Sequence, residues 1–151
     1  MSRGGLYSHF GSTKEVFEAI LEKINQKDEM NFQREMEEGM SAVAILDRAL
    51  MLMRDEMEHA EDSLSLAMYE YACTCSNDRM NHFNKAGEQK WSALIEYGIS
   101  RDEFNAVEMD EIVNVILYAY QGIRMWSRIV RMNPNVFDAI INHIRKQLVK
   151  E

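Results

Sequence analysis

Glu56 and His59 stand three residues apart, the Glu-x-x-His spacing with which helical bundles hold a carboxylate-bridged metal pair. Such a centre needs a second pair and two further inward glutamates. His9, His82 and His143 follow Leu6, Arg79 and Ile140 at that spacing, so the second pair is missing. Glu58 and Glu61 make the stretch read as a wetted helical face instead. Cys73 and Cys75 are separated by one residue, and on a helix two such thiols point to different sides. They suit a metal poorly and read as buried cysteines. The order of residues offers no Gly-rich phosphate loop and no Ser-His-Asp arrangement. The expectation is a protein without metal, cofactor or enzymatic activity.

What remains is charge. The 151 residues carry 17 Lys and Arg against 25 Asp and Glu, for a net charge of −8, but the balance is uneven. Residues 1–14 hold Arg3 and Lys14 and no acid, whereas residues 15–123 hold 9 basic and 23 acidic groups. A body this acidic repels nucleic acid, so any DNA contact must come from a separate basic surface. The N-terminal edge is the candidate. Arg124, Arg128, Arg131, Arg145, Lys146 and Lys150 form a second basic cluster, placed where cations complement helix C-termini.

The elements that position these groups are helices. With 46% hydrophobic residues, one proline and seven glycines, the chain has a core to bury and little of the turn chemistry of a sandwich or barrel. Ser2 opens a short helix through Phe10, which Gly11-Ser12 breaks. Ser12-Thr13-Lys14-Glu15 is a capping box for a helix whose stripe is Val16, Phe17, Ile20, Leu21 and Ile24. Gln26 to Glu38 reads as the solvated end of that helix and a linker closing at Gly39. Ser41 opens the next helix (Ile45, Ala49, Leu52, Met53, Met57), and Asp62 or Ser63 caps another through Leu64, Met68, Tyr71 and Cys75. A long helix follows from Asn77-Asp78 to near Gly98. Met109 to Val130 is apolar on most sides, which calls for burial against both its own core and a partner. Gly122 inside it costs about 1 kcal/mol relative to alanine, which close approach of a neighbouring helix would explain. Asn133-Pro134 opens the last helix, striped by Phe137, Ile140, Ile141, Ile144 and Leu148. No apolar run reaches the ~18 residues of a membrane span, and nothing resembles a signal peptide. Two cysteines cannot make a disulfide framework and fit a reducing compartment. The composition thus points to a soluble, cytoplasmic, all-α protein.

The string Ser2-Arg3-Gly4-Gly5-Leu6-Tyr7-Ser8-His9-Phe10-Gly11-Ser12-Thr13-Lys14-Glu15-Val16-Phe17 closely resembles one stretch of the TetR family of bacterial transcriptional regulators. That stretch is the recognition helix of the helix-turn-helix and the start of the helix behind it. The resemblance implies a TetR-like bundle: residues 1–38 a remnant of the DNA-binding domain, residues 39–151 a ligand-binding and dimerisation domain. It implies a ligand-responsive repressor that binds operator DNA as a dimer. Ser2, Arg3 and Gly4 would face bases, Arg3 with a bidentate reach to guanine. Tyr7, His9 and Lys14 would hold phosphates, Lys14 aided by the dipole of its helix. The family carries two helices ahead of this one, and with the sequence starting at Met1 the expectation is impaired DNA binding. The alternative is a helical dimerisation or small-molecule-binding module without DNA binding.

Two further surfaces are expected. The twelve methionines and the aromatic residues could line a plastic apolar cavity for an unknown small-molecule effector, with Met57, Met68, Tyr71, Trp91, Tyr118 and Trp126 as candidates. Gln121 and Arg124 would orient that ligand. The homodimer would form a four-helix interface through residues 107–131 and 135–150, with Ile116, Ile123, Ile140, Ile144 and Leu148 in it.

Overall fold

The computed structural model describes residues 13–26, 31–60, 65–74 and 78–151. Among these the chain is all-α, in seven helices: α1 (Thr13–Gln26), α2 (Phe32–Glu37), α3 (Ala42–Glu58), α4 (Ser65–Thr74), α5 (Asp78–Ser100), α6 (Met109–Trp126) and α7 (Pro134–Leu148). No strand accompanies them beyond an isolated antiparallel bridge between Phe104 and Val149. No described helix is long and apolar enough to cross a membrane.

The starts of the helices follow from local chemistry. Ser41 caps α3 by accepting from the Ala44 N–H at 3.4 Å, and Asn133 caps α7 through the Asn135 N–H, with Pro134 at the first helical position. Where Gln26 to Glu38 reads as solvated linker, the structure instead has α2, capped by Asn31 through the Gln33 N–H at 3.2 Å. Its reason is Phe32, which is 2% exposed and meets Trp91 of α5 edge-on at 5.2 Å. Gly39 ends this turn at φ +77°, a left-handed backbone that glycine adopts without strain.

α3 runs through the centre, packed against α5, α6 and α7. Ile45, Leu46, Ala49, Leu50, Met53 and Met57 bury one side of it, facing Leu94, Ile95, Ile116, Ile144 and Leu148. Ion pairs lace its flanks: Arg48 to Glu35 of α2, Arg54 to Asp138 and Arg145 to Asp47 across α7. The connection from α5 to α6 folds back into this core. Phe104 is 1% exposed and lies on Gly98, where a Cβ would stand 2.2 Å from Phe104 Cδ2. Asn105 N–H donates to the Leu148 carbonyl at 2.7 Å and Lys150 N–H to the Glu103 carbonyl at 3.1 Å, sewing the loop to the end of α7.

α6 departs from its expected span of 109–130. It closes at Trp126: after the Ser127 N–H to Ile123 carbonyl bond the chain tightens into turns, with the Arg128 and Ile129 N–H groups donating three residues back to the Met125 and Trp126 carbonyls. Within this one chain it is buried on one side. Ile112, Val113, Ile116 and Leu117 are buried, whereas Val115, Tyr118 and Trp126 are exposed.

Away from the main core, α1 lies against α4. Phe17 stacks on Tyr71 at 4.9 Å, and Leu21, Ile20 and Phe83 complete a small separate cluster. Arg79 at the start of α5 pairs with Glu18 of α1 at 2.8 Å.

Candidate functional site

The putty-like apolar cavity expected from the methionines and aromatics does not assemble from the residues proposed for it. Met57 is fully buried in the main core, and Trp91 is 5% exposed against Phe32. Tyr71 belongs to the cluster under α1, while Tyr118, Gln121 and Trp126 stand on the surface of α6. The side chain of Met68 lies outside the described residues. A helix divides its apolar side chains among every face it packs, so residue type alone did not tell pocket from core. A groove of about 500 Å3 does run between α5 and α6, but polar groups line much of it, among them Lys85, Glu88, Gln89, Glu96 and Asp110.

Arg124, expected to orient a ligand, occupies an unusual place. Its guanidinium lies over the ring of Tyr120, with Cζ 4.8 Å from the centroid. Its Nε is shut off from water and has no hydrogen-bond partner among the described residues. Burial pushes its pKa down from the ordinary arginine range, and the charge of Glu56 on α3 pushes the other way. One turn further on, Arg128 donates from Nη1 to the Ala60 carbonyl at 2.8 Å, closing the end of α6 onto the end of α3.

The dimer residues divide. Ile116, Ile144 and Leu148 are fully buried in this chain's own core, and Ile123 and Ile140 are partly buried against it. The first three therefore present no surface to a partner, because the stripe that reads as apolar in the sequence is the side turned inward. The surface that α6 does present is a second line. Val115, Tyr118, Gly122 and Trp126 are exposed at helical spacing, and Ile129 beyond the helix end is 72% exposed. The sequence marks both faces of α6 as apolar and calls for a second covering, but it does not say that Val115, Tyr118 and Trp126, rather than Ile116 and Ile123, lie on the outward one. Gly122 lies within it, and no atom approaches within 4 Å of where its Cβ would be. The close helix approach expected to explain this glycine is thus not seen among the described residues.

Of the residues expected to read DNA, Lys14 is exposed at the start of α1, 3.9 Å from Glu18. Ser2, Arg3, Gly4, Tyr7 and His9 lie outside the described residues. The Glu-x-x-His pair ends α3: His59 is its C-cap, with Nδ1 3.0 Å from the Asp55 carbonyl. Among the described residues no group of three His, Cys, Asp or Glu side chains gathers as a metal site would require. Cys73 is exposed rather than buried, and Cys75 lies outside the described residues.

No family model matches this chain, and no solved structure matches it significantly. A curated protein of Bacillus subtilis (strain 168), the "Uncharacterized HTH-type transcriptional regulator YfiR", is 27% identical over 112 residues, which cover 71% of this chain and 54% of that protein. The chain thus spans about half the length of the relative it matches.

Proposed function

We propose that this chain acts as a ligand-responsive transcriptional regulator of the TetR type, a repressor that binds operator DNA as a homodimer and responds to a small-molecule effector. The likeness to a protein described as an HTH-type transcriptional regulator supports a regulatory role in general. The motif from Ser2 to Phe17 supports the TetR type. The observation that carries the reading is the seat of α1. This helix directly follows the recognition-helix motif, and it rests on α4 through Phe17 and Tyr71 rather than on the main core. A shift of α4 on effector binding would therefore move the DNA-reading segment while leaving the large core intact. Gln121 and Arg124 near the end of α6 remain the candidate effector contacts, and the line Val115, Tyr118, Gly122, Trp126 and Ile129 is the face offered to the second copy.

The test uses the protein at its own chromosomal locus, carrying a C-terminal tag. Footprinting of bound chromosomal DNA should reveal sites with two-fold symmetry, matching a two-fold protein. Arg3→Ala should lower discrimination among sites by ~1–3 kcal/mol, and Lys14→Ala should weaken all sites about equally. Absence of occupied sites from a stable dimer would replace this reading with that of a dimerisation or ligand-binding module. A monomer at micromolar concentration in sedimentation would remove the dimer.

A further inference from the structure

The outward line on α6 is symmetric along the chain. Counted from Gly122, Tyr118 and Trp126 stand four residues to either side, and Val115 and Ile129 seven. All five positions are exposed. Two such lines, run antiparallel about a two-fold axis at Gly122, put the smallest residue at the crossing. Tyr118 then meets the partner's Trp126, and Val115 the partner's Ile129. The charges favour the same pairing. Glu108, Asp110 and Glu111 crowd the start of α6, whereas residues 112–137 hold no acid and three arginines, Arg124, Arg128 and Arg131. An antiparallel pair sets the basic end of each copy on the acidic end of the other. Arg124 lies over Tyr120 and Arg128 donates to the Ala60 carbonyl, which leaves Arg131 exposed at that basic end.

We infer that Arg131 of each copy latches into the groove between α5 and α6 of the other, at the end lined by Glu96 and Asp110. This rests on the homodimer of the reading above and names the contact that sets its register. The two helices run antiparallel: Leu117 Cδ2 lies 3.5 Å from where a Gly87 Cβ would stand, and Asn84 donates to the Tyr118 hydroxyl at 3.4 Å. Glu96 and Asp110 therefore share one end of the groove, and Lys85 lies toward the other. Arg131 is nine residues beyond Gly122, and nine residues before Gly122 stands Val113, which lines the groove together with Asp110 and Asn114. The planar guanidinium suits the carboxylates at that end. Among the described residues no ion pair within the chain engages Arg131, Glu96 or Asp110. The two-fold axis makes the contact twice.

The experiment is sedimentation equilibrium of the full chain at low and high salt. Arg131→Glu and Asp110→Arg should each raise the dimer dissociation constant about tenfold at low salt, because each sets like charges together at two symmetric contacts. The loss should shrink as salt screens those charges. An equimolar mixture of the two variants should dimerise as the unmutated protein does, because in the mixed pair both contacts regain opposite charges. Lys23→Glu makes an equal change of charge at the exposed end of α1 and should leave the constant within about twofold, as a surface charge away from the contact does. Single variants that dimerise like the unmutated chain, a mixture no tighter than either variant alone, or an equal loss in Lys23→Glu would each overturn the latch. A dimer indifferent to these reversals leaves the homodimer reading standing without it, and an unmutated chain that stays monomeric at micromolar concentration removes both. Site occupancy on the chromosome is read separately. Rescue in the mixture without occupied sites sinks the regulator reading and leaves the latch standing.

Discussion

The core around α3 and the patch beneath α1 use the same kinds of side chain, yet they are closed in different ways. Around α3, residues from α2, α5, α6, α7 and the loop before α6 converge, so Phe32, Phe104 and Leu148 come from distant parts of the chain and are each at most 2% exposed. Under α1, among the described residues, Phe17, Leu21 and Tyr71 do the work with Ile20 and Phe83 at the margin, and none is fully buried. A region held by many interlocking long-range contacts opens only with the whole molecule, whereas one held by a few side chains can open by itself. On this ground α1 is expected to open separately from the core around α3.

The strongest way to break this contrast is to cut each region once. Leu94→Ala in the main core removes a fully buried side chain and should cost about 2–5 kcal/mol, read as a lowered urea midpoint. Phe17→Ala removes a buried side chain from the patch, but its effect should stay local. Hydrogen exchange in α1 should speed by orders of magnitude while the main urea transition moves by less than about 0.5 kcal/mol. If Phe17→Ala lowers the main midpoint as far as Leu94→Ala does, the two regions unfold as one and α1 does not open separately.

What could be read in advance follows the same line. Helix starts were legible wherever a capping side chain and an apolar stripe agreed, as at Ser41 and Asn133-Pro134. Contacts between distant segments were not. Phe32 lay among charged residues and Phe104 in a loop, and only the fold shows that Trp91 and Gly98 wait for them. The stripe Ile140, Ile144, Leu148 correctly marked an apolar face, but a stripe cannot say whether its partner is the same chain or another. Ile144 and Leu148 turned inward, and which residues of α6 lie outward went unread. Among the described candidate ligand residues, Arg124 is the one with a buried polar atom, Nε, that has no hydrogen-bond partner.

That outward line yields a smaller test. In an isolated chain Gly122→Ala should stabilise α6 by up to ~1 kcal/mol, since open space surrounds the position. If a second copy crosses there, the added methyl should instead weaken the dimer, seen as a raised dissociation constant in sedimentation. Stabilisation with an unchanged dimer would place the interface elsewhere.

The smallest effect belongs to the core around α3, at the start of that helix. Glu103, from the loop before α6, accepts from the Ser41 hydroxyl at 2.6 Å and from the Val43 N–H at 3.1 Å, acting as a long-range cap. Burial pushes its pKa up, but hydrogen bonds from Arg101, Ser41 and the Val43 N–H outweigh this and hold it at about 2. A carboxyl depressed on folding stabilises above its unfolded pKa, and that contribution fades as pH falls from about 4.5 toward 2. Glu103→Gln keeps the shape but loses the charge. At neutral pH it should cost about 0.5–1 kcal/mol, the scale of a helix cap with a solvent-screened charge. The cost should shrink toward zero by pH 2, so the stability curves of wild type and variant converge on the acid side. Because the lost contact joins parts of the main core, the whole urea transition should move with it and α1 exchange should not. Curves that stay parallel from neutral pH to pH 2 would show that the charge of Glu103 contributes nothing to holding α3.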